Sequence, residues 1–131
     1  MLAQISLTIL MYLRLAVVKR KEIAAGNVDL KKVALHGQYW PDSVIQVNNN
    51  LRNQFETPVL FYVLCLMLMG LGAVDVSVMG TALVYVVSRY GHAFVHATSN
   101  IVKYRLPLFS LGVVAIIGLI ALATRALLAL G

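Results

Sequence analysis

Acidic side chains and cysteine are scarce in this chain. Five of its 131 residues are Asp or Glu, against eleven Lys and Arg, and Cys65 is the single cysteine. One cysteine excludes an intramolecular disulfide, and a cysteine inside an apolar run most often acts as a small hydrophobe. Charged residues of both signs make up 12% of the chain, about half the share of an ordinary soluble domain. Charge is absent altogether from residues 58–74, 76–88 and 106–124, and Met1–Val18 is interrupted only by Arg14. No internal repeat or low-complexity segment is evident.

What is present is apolar surface. Hydrophobic residues make up 60% of the chain and the mean hydropathy is +0.84, well outside the soluble range. A bilayer core takes roughly 20 mostly apolar residues. Four segments reach that length if their polar ends sit at the interface or inside a bundle. The expectation is an all-α integral membrane protein, a single domain over residues 1–131 with four transmembrane helices near 2–24, 43–71, 74–100 and 106–130. Met1–Leu13 lacks Lys and Arg, and the cluster Lys19, Arg20, Lys21 follows the apolar part. A signal peptide has the opposite order, so the first helix reads as retained.

The basic residues give orientation. Lys19, Arg20, Lys21, Lys31, Lys32 and Arg52 fall between the first two apolar segments, and Lys103 and Arg105 between the last two. The connection near Asp75 has no basic residue. With four spans, both basic connections share a side, which the positive-inside rule makes cytoplasmic, with both termini outside. The net charge of +6 is thereby accounted for by topology. Its juxtamembrane placement, with no nucleic-acid motif, argues against a nucleic-acid partner.

Two polar stripes stand out. On the second helix Asn49, Asn53 and Glu56 recur at i, i+4 and i+7, with Arg52 one turn before Glu56 on the flank of that face. Pro58 follows and is expected to kink the helix. On the third, Tyr85, Arg89, His92 and His96 recur at steps of three and four, continued by Asn100 or Lys103. Ionisable groups at such depth face a bundle interior or cavity rather than lipid. Arg14 either snorkels to the interface or pairs with an acid inside the bundle.

Three readings fit these stripes. The first is structural, with Arg52–Glu56 or Glu56–Arg89 pairs fixing helix register. The second is a site for a small zwitterionic, peptide-like ligand: Arg89, Lys103 and Arg105 would bind its carboxylates, Glu56 its ammonium and Asn53 its amide. The third is a metal held by His92, His96 and Glu56. Two histidines without a second pair are a weak metal signal, and no metal is expected. His36, alone in a polar connection, reads as solvated.

The stretches "NNNLRNQFETPVLFY" and "SRYGHAFVHATSNIVKYRLPLF", the latter ahead of an apolar last helix, resemble the MAPEG family, the membrane-associated proteins of eicosanoid and glutathione metabolism. The likeness runs from about Met1 to Leu130 and is similar to bacterial members with an NQFE-x-P motif. It implies a homotrimer in a bacterial inner membrane, with glutathione as cosubstrate between subunits and a lipophilic small molecule, drawn from membrane lipid, as its partner in transferase or peroxidase chemistry. By that resemblance Asn53 and Glu56 match the family's glutathione-holding Asn and Glu. Asn49 stands where the family has an arginine, with Arg52 nearby on another face. His92 and His96 replace family tyrosines, and Lys103 or Arg105 corresponds to the arginine that activates the thiol. The alternative is a non-catalytic lipid-binding or assembly subunit that keeps the fold and its polar network.

The charge-derived topology has a direct check. Alkaline phosphatase fused after Leu130 should be active and a fusion at Lys31 silent; the reverse pattern would invert the assignment.

Overall fold

A computed structural model describes residues 1–130. The described chain is all helical: α1 (Leu2–Ala24), α2 (Leu30–Leu35), a 3-10 turn at Gly37–Tyr39, α3 (Asp42–Asn53), α4 (Thr57–Gly70), α5 (Val76–Ala97) and α6 (Val102–Leu128). Of these, α1 and α6 are long and apolar enough to cross a membrane by length and composition.

Where the sequence suggests one helix over residues 43–71, the structure has two. Pro58, in the first turn of α4, has no N–H for the carbonyl of Gln54, and its ring crowds that carbonyl. The helix therefore stops at Asn53 and restarts at Thr57. Between them Gln54 and Phe55 close tight turns onto Leu51 and Arg52, both at 2.9 Å. The carbonyls that end α3 lose their helical partners. At the other junction α6 begins at Val102, four residues before the apolar run. The run marks the greasy part of a helix, and polar first turns lie outside it.

Helix α5 is the shared spine. With Phe61, Leu64 and Leu68 of α4 and Ala115, Ile116, Leu119 and Ala123 of α6, its Val78 and Tyr85 form one core cluster. Its other half supplies Ala93 and Ala97 to a second cluster with α1 (Leu7, Met11, Leu15) and α3 (Val44, Val47, Leu51). The α1 and α3 residues recur at three and four positions, so each of those helices buries one stripe. Tyr85 stacks on Phe61 with ring centroids 4.5 Å apart and donates to the Thr57 hydroxyl at 3.1 Å. Outward faces stay apolar: Leu13, Val17, Leu66, Leu83, Phe94 and Val114 are all more than half exposed, as suits a lipid solvent.

Polar groups close the ends of the elements. Asp75 caps α5 through the Val78 amide at 2.8 Å and pairs with Arg125 at 3.0 Å, which ties the α4–α5 connection to the end of α6. The Val78 amide, then Arg125, holds the Asp75 carboxyl below its usual range. Its contribution is full above the pKa of an unfolded Asp and is lost as pH falls through the lowered folded value. At the opposite end Gln46 donates to the carbonyls of His96 at 2.7 Å and Thr98 at 3.0 Å. Arg14 donates to the carbonyl of Ala97. Arg14 thus meets the negative end of the α5 dipole rather than an acid.

Gly112 fixes how closely α6 approaches α5. A Cβ there would lie 3.0 Å from Ser88 Oγ and 3.6 Å from Arg89 Cδ. Gly112→Val should therefore lower stability by about 1–3 kcal/mol, read as a fall in Tm in detergent. Gly80→Ala, where nothing lies within 4 Å, should cost nothing, and equal losses at both positions would contradict this packing.

Candidate functional site

The α5 stripe turns inward. Ser88, Arg89, His92 and His96 are all buried, and Arg89 is 0% exposed. Its Nη2 donates to the carbonyl of Asn53 at 3.0 Å, a carbonyl released where Pro58 interrupts the helix. The Phe109 ring centroid lies 5.7 Å from its Cζ, within cation–π range. Nε and Nη1 have no partner. The ion pairs among the described residues are Lys32–Asp29 and Arg125–Asp75, so Arg89 is a buried cation without a carboxylate within 4.0 Å.

Two histidines continue the stripe. His92 Nδ1 lies 3.3 Å from the carbonyl of Arg105. A carbonyl only accepts, so Nδ1 carries the proton and the neutral ring leaves its lone pair on Nε2. That Nε2 is buried without a partner. His96 Nδ1 is 3.4 Å from Asn53 Nδ2, an amide donor, so this contact casts His96 Nδ1 as acceptor. The two rings meet edge to face at 5.5 Å.

Two cavities open beside this stripe and share Arg105. One, of about 210 Å³, is lined by Asn53, His92, Arg105 and Phe109 together with Val102 and Leu106. The other, of about 490 Å³, is lined by Asp42, Gln46, Asn49, His96 and Arg105 among others. Arg105 is held between them by Asn100 Oδ1 at 2.6 Å. Asn100 adopts the left-handed conformation, φ 52°, which asparagine tolerates better than most residues.

Arg89, His92, His96, Asn53 and Arg105 thus come together, with Asn49 on the rim of the larger cavity. Three other candidates do not join them. Glu56 is exposed at the helix break and forms neither the Arg52 nor the Arg89 pair open to it on a continuous helix, because the break turns it off that face. Arg52 lines a different cavity with Lys19 and Trp40. Lys103 is exposed and lines neither cavity beside the stripe. Among the described residues no group of three His, Cys, Asp or Glu is placed to hold a metal.

A row of buried amides escapes a reading of the sequence alone. Gln4 Nε2 donates to Gln54 Oε1 at 3.0 Å, Gln54 Nε2 to Asn50 Oδ1 at 3.2 Å, and Asn50 Nδ2 to the carbonyl of Ala93 at 2.8 Å. The row runs from α1 through the break to α5. Its signal lay in phase: Gln4 is three before Leu7 and Asn50 three after Val47, so both extend buried stripes.

A buried guanidinium with one hydrogen bond is costly to the ligand-free fold. Arg89→Met, of similar reach, should leave that fold as stable or stabilise it by up to about 4 kcal/mol, seen in thermal unfolding. Destabilisation by a comparable amount would show that Arg89 has a partner within the assembled protein.

The MAPEG family model matches residues 1–125 of the 131-residue chain. No curated protein and no solved structure matches it. A family match over nearly the whole length, joined to two helices of membrane-crossing length and an apolar outer surface, establishes that this membrane protein belongs to the MAPEG family.

Proposed function

We propose that this chain is a glutathione-dependent transferase or peroxidase acting on lipophilic compounds dissolved in the membrane. In this reading all four long helical units cross the bilayer, α3 and α4 together forming the second, and protomers assemble as homotrimers. The basic end lies in the cytoplasm of a bacterial cell and both termini outside. The Asp75–Arg125 pair at one end, and the Arg14–Ala97 and Gln46–His96 contacts at the other, support an alternating path through the membrane.

The observation that carries the reading is the buried, unpaired Arg89, beside the cavity-lining Asn53 and Phe109 and one turn from His92. A buried cation with no carboxylate in direct contact suits a site whose anion arrives with a ligand. The donor set fits a zwitterionic peptide. Arg105 at the cavity wall, with Arg89 behind it, favours a carboxylate, the amides of Asn49, Asn53 and Gln46 match peptide groups, and Asp42, in the larger cavity, takes the ammonium in place of Glu56.

Glutathione supplies a thiol, whose deprotonated form is the nucleophile. Arg105, between the two cavities, lowers the free energy of an anion next to it. It fills the thiol-activating role better than the exposed Lys103. His92 Nε2, with its tautomer fixed by the Arg105 carbonyl, accepts the proton that leaves the thiol. The apolar side of the smaller cavity, Val102, Leu106 and Phe109, receives the lipophilic acceptor.

The alternative, a non-catalytic lipid-binding or assembly subunit, is favoured by one observation. Arg14, Gln46 and Asn50 spend their donors on the last carbonyls of α5, a use that needs no ligand.

Calorimetry on detergent-purified protein separates the two. Glutathione should bind at millimolar concentration or below, and Arg105→Gln should lower kcat/KM toward a lipophilic electrophile tenfold or more, about 1.4 kcal/mol, with a smaller effect on binding. No heat at millimolar glutathione would end the transferase reading and leave the structural one.

A further inference from the structure

A second cavity of about 490 Å³ lies on the other side of α3, between the last turns of α1, the 3-10 turn and α3 itself. Its polar lining is Lys19, Gln38, Asn48, Asn49 and Arg52, with Trp40 as one wall. Val44 and Ile45 form an apolar floor. Ile45 and Asn49 also border the cavity at His96 and Arg105, so they form the ridge between the two.

The chemistry of this lining is one-sided. It holds two cations and three side-chain amides, and no carboxylate. Neither cation is in an ion pair among the described residues. The Lys19 ammonium sits 4.8 Å from the centroid of the Trp40 ring, a cation–π contact that steadies the charge without neutralising it. Arg52 presents a planar fork and Lys19 a point charge, a pairing that suits an oxyanion with several acceptor oxygens better than a single carboxylate.

Depth identifies the class of ligand further. Lys19 lies near the end of α1, a helix long enough to cross the membrane, and is followed by Arg20 and Lys21. Tryptophan at such a boundary settles at the headgroup level, and juxtamembrane basic clusters attract anionic lipids. The apolar floor under the cations suits the glycerol end of a lipid.

We infer that the cavity bounded by Lys19, Trp40 and Arg52 binds a phosphate ester, as the headgroup of an anionic membrane lipid or as a soluble phosphate-bearing molecule. The site adjoins the proposed glutathione site across Ile45 and Asn49, and the inference does not depend on that reading.

Native mass spectrometry of the full chain in detergent tests this with phosphatidylglycerol, phosphatidylcholine and inorganic phosphate. Phosphatidylglycerol should be retained in preference to phosphatidylcholine. Lys19→Gln and Arg52→Gln should each weaken retention about fivefold, and Lys31→Gln, at an exposed lysine outside the cavity, should not. Displacement by millimolar inorganic phosphate would assign the site to soluble phosphate esters, and resistance to it would assign the site to lipid headgroups. Equal retention of phosphatidylcholine, or equal effects of Lys31→Gln and Arg52→Gln, would overturn the inference. So would displacement by glutathione, which would make this cavity part of the other site. Thermal unfolding of each variant separates lost binding from lost fold.

Discussion

Proline cannot donate a backbone hydrogen bond, and at position 58 that one deficit organises the interior. Helix α3 ends at Asn53, and its final carbonyls turn from internal acceptors into free ones. Arg89 takes the carbonyl of Asn53, and Gln54, in the break itself, passes a hydrogen bond from Gln4 toward Asn50. These donors satisfy carbonyls that the break leaves open, in the case of Arg89 at the cost of a desolvated charge. The amide row also joins α1 to α3, and the Asn50 contact with the Ala93 carbonyl carries it on to α5.

Helix α5 can accept all these contacts because its neighbours come close. Gly112 leaves room for Ser88 and for the aliphatic stem of Arg89, and Gly91 lets Leu108 of α6 approach to 3.2 Å of where a Cβ would be. Tyr85, Ser88 and Arg89 therefore lie deep between the helices, whereas His92 and His96 are buried but each borders a cavity. Tyr85 and Ser88 find partners for their hydroxyls, whereas Arg89 and His92 each keep a buried nitrogen without one. The division follows position. Of the two with spare capacity, His92 borders the cavity shared by Asn53, Phe109 and Arg105, and Arg89 lies one turn from it.

Much of this was legible in the order of residues. The charge-free runs marked the apolar helices, and the three-and-four spacing from Tyr85 to His96 marked a face that turned out to be buried. Glu56 stands off the face expected for it because that face was counted across Pro58 as though the helix continued, and three residues of turn intervene. Within the run Asn48–Asn49–Asn50, the polar pattern drew attention to Asn49. The apolar phase of Val44, Val47 and Leu51 points instead to Asn50, and burial follows the apolar phase. Local sequence also could not separate Lys103 from Arg105. Two residues apart on α6, they lie on nearly opposite faces, and Arg105, on the face toward the cavities, is held there by Asn100.

Helix α3 ends up between two cavities of similar size and different sign. Its buried edge is apolar but for Asn50, and its exposed edges carry Arg52 on one side and Asp42 on the other. The cavity holding Lys19 and Arg52 has cations alone; the cavity holding His96 and Arg105 has Asp42 as its carboxylate. By charge alone the first favours an anion, and the second has the one carboxylate that could meet an ammonium group. Asp42 stands in the first turn of α3, at the place where it makes the two cavities differ. In the two proposed readings, Asp42 is one of the side chains by which a zwitterion and a phosphate ester would be told apart.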